Sequence, residues 1–285
     1  MSVSAPKHRV RHYAAGTYLV CYLVMAFVVV ICVFPMVWLL LSSFKTNMEV
    51  LESAFSLPRT PSFRGYREAM EISRIHLRYG TSITVAGLST LFALIIFSMA
   101  GYALARFDFK GRGLVYAALL SSLLVPGDAM IQPIYGLIHR LGLYDTKAAL
   151  IIVYTAFAMP TALFLLRSSF ADIPREMEEA AYVEGCGFFY TFVKIMVPLV
   201  KPAVVAVTVL TFIANWNELL YALLLTSSEK NRTLPLMLKY FTSSFSFNYP
   251  AMFAAMVMYI APSILIYILL QEQIMTSMVV GAVKG

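Results

Sequence analysis

Six apolar stretches, each long enough to cross a bilayer as a helix, recur along this 285-residue chain and leave little else from which to build a domain. A hydrocarbon core about 30 Å thick needs roughly 20 apolar residues at about 1.5 Å each. The runs at about 14–41, 81–105, 114–138, 148–166, 197–225 and 251–270 meet that requirement. With 60% hydrophobic and only 13% charged residues, the chain lacks the polar surface of a water-soluble domain. The fold class it implies is an all-α integral membrane protein of six transmembrane helices, a single domain over 1–285.

The connections divide the runs unevenly. Lys7, Arg9 and Arg11 precede the first, which is too long for a signal-peptide core and has no small-residue cleavage site, so it stays as a span that Pro35 can bend. Residues 42–80 form the largest hydrophilic connection, broken by Pro58 and Pro61, with Phe63 to Ile75 patterned as an amphipathic helix lying on the membrane. Pro126, Gly127, Asp128, Gln132 and Pro133 interrupt the third run, and Pro160 lies in the fourth. Six crossings put both termini on one side. The 22 Lys and Arg residues divide evenly between the two sides, so the positive-inside rule does not orient the chain. A net charge of +7 without a basic, aromatic-interleaved stripe gives no reason to invoke nucleic acid. Cys21, Cys32 and Cys186 are scattered, suggesting packing rather than a disulfide or metal site.

Between the fourth and fifth runs lies a polar, helix-forming island, residues 172–196. Asp172 suits a helix cap, Pro174 its first turn, and Glu176, Glu178 and Glu179 the positive end of a helix dipole. Gly185 is a natural stop, and a second helical run, Phe188 to Ile195, leads to Pro198. The expectation is a helix, a glycine bend and another helix outside the bilayer. Glu179-Ala180-Ala181, three residues, Gly185, nine residues, Ile195, one residue, then Val197-Pro198 resembles the EAA loop in the membrane subunits of bacterial ABC importers, with Val197 where leucine is usual.

The resemblance implies a coupling helix docked in a cleft on a cytoplasmic ATPase. Glu179 would pair with a basic residue there, Ala180 and Ala181 would permit close packing, Gly185 would make the bend, and Ile195 and Pro198 would complete the motif. It places this loop, both termini and the basic turn of Arg106, Lys110 and Arg112 in the cytoplasm. Asn215-Trp216-Asn217-Glu218 in the fifth run and the closing Gly281-Ala282-Val283-Lys284-Gly285 look like carbohydrate-type permeases, especially the six-span second subunit of maltose-like importers. That likeness implies a multi-pass protein of the bacterial inner membrane, a second permease chain and an ATPase dimer that binds ATP and Mg. It also implies an extracytoplasmic solute-binding protein delivering a sugar or oligosaccharide. Ser277 to Gly285 would then either reach the ATPase or fray.

No glycine-rich loop ends in Gly-Lys-Ser or Gly-Lys-Thr, and no metal-ligand or nucleophile constellation appears, so no active site, cofactor or nucleotide site is expected in this chain. Energy comes from a partner or from an ion gradient. Charges at the bilayer centre cost at least about 2.5 kcal/mol and normally face a cavity or a partner, which singles out Asp128 and Glu218. Asn215, Trp216, Asn217, Glu218 and Tyr221 combine amide, carboxylate and aromatic groups suited to a sugar; equally, they suit contact with a partner helix. Asn215 and Glu218 are placed on one helical face, and Asn217 and Tyr221 on the next. Asp128 and Gln132 mark either a pathway-lining break in the third helix or a polar helix end. A gradient-driven secondary transporter, with Asp128 and Glu218 as ion or proton carriers, is the alternative; no inverted repeat favours it.

Overall fold

The computed structural model describes residues 15–241 and 247–282, and every regular element within them is helical. Four helices are long and apolar enough to cross a membrane: α1 (Ala15–Ser42, qualifying over Tyr18–Ser42), α4 (Ile75–Arg106), α7 (Lys147–Ala171) and α12 (Tyr249–Ala282, qualifying over Tyr249–Leu269). Two bent pairs bring the number to six if each counts as one span. Short α2 (Asn47–Glu52) and α3 (Arg64–Ser73) occupy the first connection. The expected surface helix at 63–75 is α3, whereas α2 went unforeseen although Thr46 and Glu49 form a capping box.

Helix ends depart from hydropathy ends. α4 starts six residues before the apolar run at 81, and α12 continues through 271–282, where a tail was expected. Gln271, Glu272 and Gln273 end the apolar run, but they are good helix formers and no proline follows them, so the helix passes through. Val283–Gly285 and the basic N-terminal residues lie outside the described residues.

The third span breaks as expected. α5 (Arg112–Leu120), extended by a tight turn to Leu124, meets Gly127–Arg140, which contains α6 (Ile131–Arg140), at 97°. Val125 and Pro126 are extended at the corner, the conformation that proline favours for itself and for its predecessor. The fifth span corrects the expectation of one continuous stretch over 197–225. Phe188–Leu199, here α9, turns by 78° at Val200 into α10 (Lys201–Asn217); the chain then breaks at Glu218 and Leu219 before α11 (Leu220–Leu225). Val197 and Pro198 therefore lie before the bend, in α9, and not in α10.

The core of the bundle is α4 against α7. Gly101 permits the approach: a Cβ there would lie 3.0 Å from the Arg167 amide nitrogen and 3.3 Å from Leu166 Cβ. The apolar stretch of α1 is exposed; near its end Trp38 meets Phe253 of α12 edge-on at 5.3 Å. Both long polar connections gather at one end of the bundle. There Glu68 accepts a hydrogen bond from the Asn248 side chain at 2.7 Å, and Gly65 lies under the Pro250 carbonyl. At that end, too, Arg78 is ion-paired with Glu229 and lies 4.6 Å from the centre of the Tyr240 ring. The basic turn and the 172–196 island share the opposite end, where Arg106 pairs with Glu178.

Candidate functional site

At the island, α8 (Glu176–Val183) is a two-turn helix closed by glycine. Gly185 has φ +82°, its N–H donates to the Tyr182 carbonyl at 3.0 Å, and the Cys186 N–H reaches back to the Ala181 carbonyl at 2.9 Å. This pair of bonds is the Schellman closure, in which the left-handed residue is nearly always glycine. Asp172 does not cap α8: its N–H closes α7 by donating to Ser168 O at 3.1 Å, and the residue preceding α8 is Arg175. The three acidic residues do occupy the first turn of α8.

Glu179 and Ala180 are exposed, as is Gly185, but Ala181 is buried against the body of the chain, so only Ala180 can offer a small outward surface. Ile195 is half-buried within a wide, π-type turn of α9, and Pro198 is exposed. Sequence reasoning missed the group beneath this surface. Glu178 is buried, with Oε2 3.2 Å from Arg106 Nε, while Oε1 accepts the Tyr102 hydroxyl at 2.5 Å. The Arg106–Glu178 approach is an ion pair without an aligned hydrogen bond, and Arg106 Nη2 donates to Ile173 O at 2.7 Å. An arginine closing a span one turn after a tyrosine was the available signal.

Within the bilayer-spanning part, the structure disperses the polar cluster read from 215–221. Trp216 is 1% exposed, stacked on Phe212 with centroids 5.7 Å apart, and its Nε1 donates to Tyr259 O. Its ring is core and has no free face for a sugar. Asn215 and Glu218 do not share a helical face, because Glu218 is extended at the break. Asn215 donates to Ser89 Oγ at 2.8 Å and also lines a cavity of about 230 Å³ between α7 and α10, with Phe157, Thr161 and Thr211. Asn217 is exposed, donates to Ile213 O and accepts the Tyr259 hydroxyl.

Glu218 repairs its own helix break. Its carboxylate accepts the Tyr221 and Ala222 amides at 2.7 and 3.0 Å and the Tyr154 hydroxyl at 2.5 Å, supplying the free donors at the start of α11. Tyr221 is buried, and its hydroxyl donates to Gly127 O at 2.8 Å, so the break in the fifth span is pinned to the break in the third. Carbonyls freed by a broken helix need such partners at membrane depth. Asp128 and Gln132, next to that corner, are exposed.

At the end carrying the long connections, Asp145 adopts φ +57° and its Oδ1 accepts the amides of Ser227 and Ser228 at 2.9 and 3.0 Å. Burial opposes its charge, but these amide bonds, with the Ser228 and Asn231 side chains, prevail and hold its carboxyl well below the usual range. A cavity of about 370 Å³ lies where the first connection meets the start of α12, bounded by Lys45, Arg64, Glu68 and Asn248. Among the described residues no group of three or more His, Cys, Asp or Glu gathers to hold a metal.

Comparison with known proteins gives these ends a context. Residues 18–278 match the family described as binding-protein-dependent transport system inner membrane component. The chain is 34% identical over 257 residues to the diacetylchitobiose uptake system permease protein NgcG of Streptomyces coelicolor, covering 90% of this chain and 85% of that one. It is 32% identical over 253 residues to the sulfoquinovosyl glycerol transport system permease protein SmoH of Agrobacterium fabrum, covering 88% and 89%. A chain in the crystal structure of a bacterial ABC transporter that imports the acidic polysaccharide alginate superposes with a TM-score of 0.81 at 22% identity, covering 91% of this chain and 98% of its own length. That likeness concerns the fold.

Proposed function

The chain belongs to the family of binding-protein-dependent transport system inner membrane components, and on that premise we propose that it forms half of the translocation pathway of an ATP-driven sugar or oligosaccharide importer. It is a transport subunit, not an enzyme. A second permease chain completes the pathway, a cytoplasmic ATPase dimer binds ATP and Mg, and an extracytoplasmic binding protein delivers the ligand. Family membership sets aside the gradient-driven alternative, and the Glu218 carboxylate already serves the helix break.

The observation that carries this reading is the exposed Glu179–Ala180 edge of α8, presented beyond the spans by the Gly185 turn. A short helix held out in this way is a shape that a cleft can grip. Glu179 supplies the charge-assisted contact, Ala180 the close approach, and Ile195 and Pro198 the flank that follows. ATP binding closes the ATPase dimer, the gripped helices of the two permeases move together, and the cavity turns outward. This assignment puts the motif end and both termini in the cytoplasm. The end with Asp145 and the cavity bounded by Lys45 and Asn248 then faces the binding protein. Ser277–Ala282 extends α12 toward the ATPase.

A glycoside or short oligosaccharide is favoured by what the relatives are named for: diacetylchitobiose, sulfoquinovosyl glycerol and, for another relative in Bacillus subtilis, arabinooligosaccharides. The cavity beside Phe157, Thr161 and Asn215 offers an aromatic edge with hydroxyl and amide groups, chemistry suited to a sugar passing between α7 and α10. Asp128, Gln132 and Tyr221 sit at the paired breaks, as a gating element. Affinity recovery of the tagged chain from native membranes tests the reading. Wild type is expected to bring an ATPase and a second permease, and a Glu179→Arg, Gly185→Val double variant to lose most of the ATPase. Recovery of the chain alone, whatever the loop sequence, overturns it.

A further inference from the structure

Of the eight residues of α8 only Glu178 and Ala181 are buried, and Tyr182 also approaches the Tyr102 hydroxyl, so the side-chain contact of this helix with α4 centres on one carboxylate. Both oxygens of that carboxylate are held by α4. Tyr102 and Arg106 are one turn apart on a single face of α4, the hydroxyl on Oε1 and the guanidinium on Oε2. The same guanidinium also holds Ile173 O, on the segment that enters α8, so one side chain fixes both the helix and its approach. Tyr102 cannot yield sideways: its ring, 2% exposed, is enclosed by Phe107, Phe170, Phe188 and Phe192 at centroid distances of 5.0 to 5.9 Å.

A buried ion pair is a poor route to stability, because desolvation offsets its attraction. What the group offers over an apolar contact is direction: the Tyr102 hydroxyl makes an aligned hydrogen bond to the carboxylate, and the Arg106 charge beside it adds attraction that apolar surfaces, which slide over one another, lack. We propose that Glu178, held by Arg106 and Tyr102, is the rigid link through which a displacement of α8 moves the end of α4, these three acting as positioning residues. The inference rests on the coupling role assigned to α8 above and adds a side-chain route by which motion enters α4, beside the direct chain connection to α7 through residues 172–175.

The test uses the complex recovered through a tag on this chain, with Cys21, Cys32 and Cys186 replaced by serine and spin labels on pairs of exposed sites. One pair is Val183→Cys with Ile96→Cys, reporting α8 against α4; the other is Val183→Cys with Leu265→Cys, reporting α8 against α12. On adding ATP and vanadate, the 183–265 distance is expected to shift while the 183–96 distance stays within about 2 Å, the scale of small helix adjustments. In Glu178→Gln the 183–96 distribution is expected to broaden or move. A wild-type 183–96 distance that shifts with the other, or a Glu178→Gln distribution matching wild type while 183–265 still shifts, overturns the link. If Glu178→Gln is not recovered in the complex, Arg106→Lys and Tyr102→Phe carry the same comparison. A wild-type preparation without an ATPase refutes the coupling role itself, an outcome separate from any distance result.

Discussion

Replacing Gly101 tests the close approach of α4 to α7. An alanine Cβ there would sit 3.0 Å from the Arg167 amide nitrogen, 3.3 Å from Leu166 Cβ and 3.4 Å from the Leu166 carbonyl carbon. Carbon contacts are optimal near 3.5–4.0 Å, and two of these three atoms belong to the backbone of α7, which cannot rotate out of the way. Relief requires α4 and α7 to separate by several tenths of an ångström, loosening Leu166 and Phe170, both at 0% exposure. Overpacking of this kind costs about 1–3 kcal/mol, and alanine recovers about 1 kcal/mol of helix propensity over glycine. Gly101→Ala is therefore expected to lose about 0–2 kcal/mol, and Gly101→Val, bulkier and a weaker helix former, to lose more. Gly87 in the same helix is the control: nothing lies within 4 Å of its hypothetical Cβ, so Gly87→Ala is expected to gain up to about 1 kcal/mol. Thermal unfolding in a single detergent, followed by fluorescence of the buried Trp216, measures all three. If alanine at 101 stabilises as much as alanine at 87, the close approach does not constrain the bundle and the argument fails.

Gly185→Val forces a branched side chain into the left-handed region, at about 1–2 kcal/mol, and is expected to leave the protein inserted while lowering transport per ATP hydrolysed; wild-type coupling in reconstituted vesicles would remove the role given to the bend. Glu178→Ala strands Arg106, whose side chain is 6% exposed, and is expected to cost about 3–5 kcal/mol; unfolding of Glu178→Leu combined with Arg106→Met is expected to recover most of that loss, and an unchanged deficit would refute it. For Asp145 the folded carboxyl titrates below the ordinary aspartate value of about 3.9, so the stabilisation is fully present above that pH and lost only as the pH falls toward the folded value. The stability gap between wild type and Asp145→Ala is thus expected to be flat from pH 7 down to about 5 and to narrow only below about 4; a gap already closing at pH 6 would contradict this.

Hydropathy made the spans legible because it reports where lipid surrounds the chain, and the Pro126–Gly127 corner was legible because proline and glycine act locally. Helix ends were not, since α4 and α12 run past the ends of the apolar runs, through residues such as His76, Arg78, Gln271 and Gln273 that hydropathy scores as loops. The Gly185 stop was readable from local chemistry, and its turn has the geometry that a glycine stop implies. The sequence leaves Trp216 open to a sugar or to a partner helix, because it cannot tell which face of a helix meets the core. Glu178 and Tyr102 are 76 residues apart, and nothing local to either announces the other. Ala181, grouped with Ala180 by the motif, proved to face the opposite way for the same reason.

The contacts at the end bearing the long connections impose an order on the making of this protein. Glu68 finds Asn248 across 180 residues, Asn47 accepts the Tyr249 amide across 202, and Gly65 closes under Pro250. Until the final helix is synthesised, the first connection lacks these partners. Truncation before residue 248 therefore removes more than one span. It deprives a segment synthesised at the outset of its only closure across the bundle among these contacts, leaving quality-control proteases an open connection where the mature protein has a sealed one.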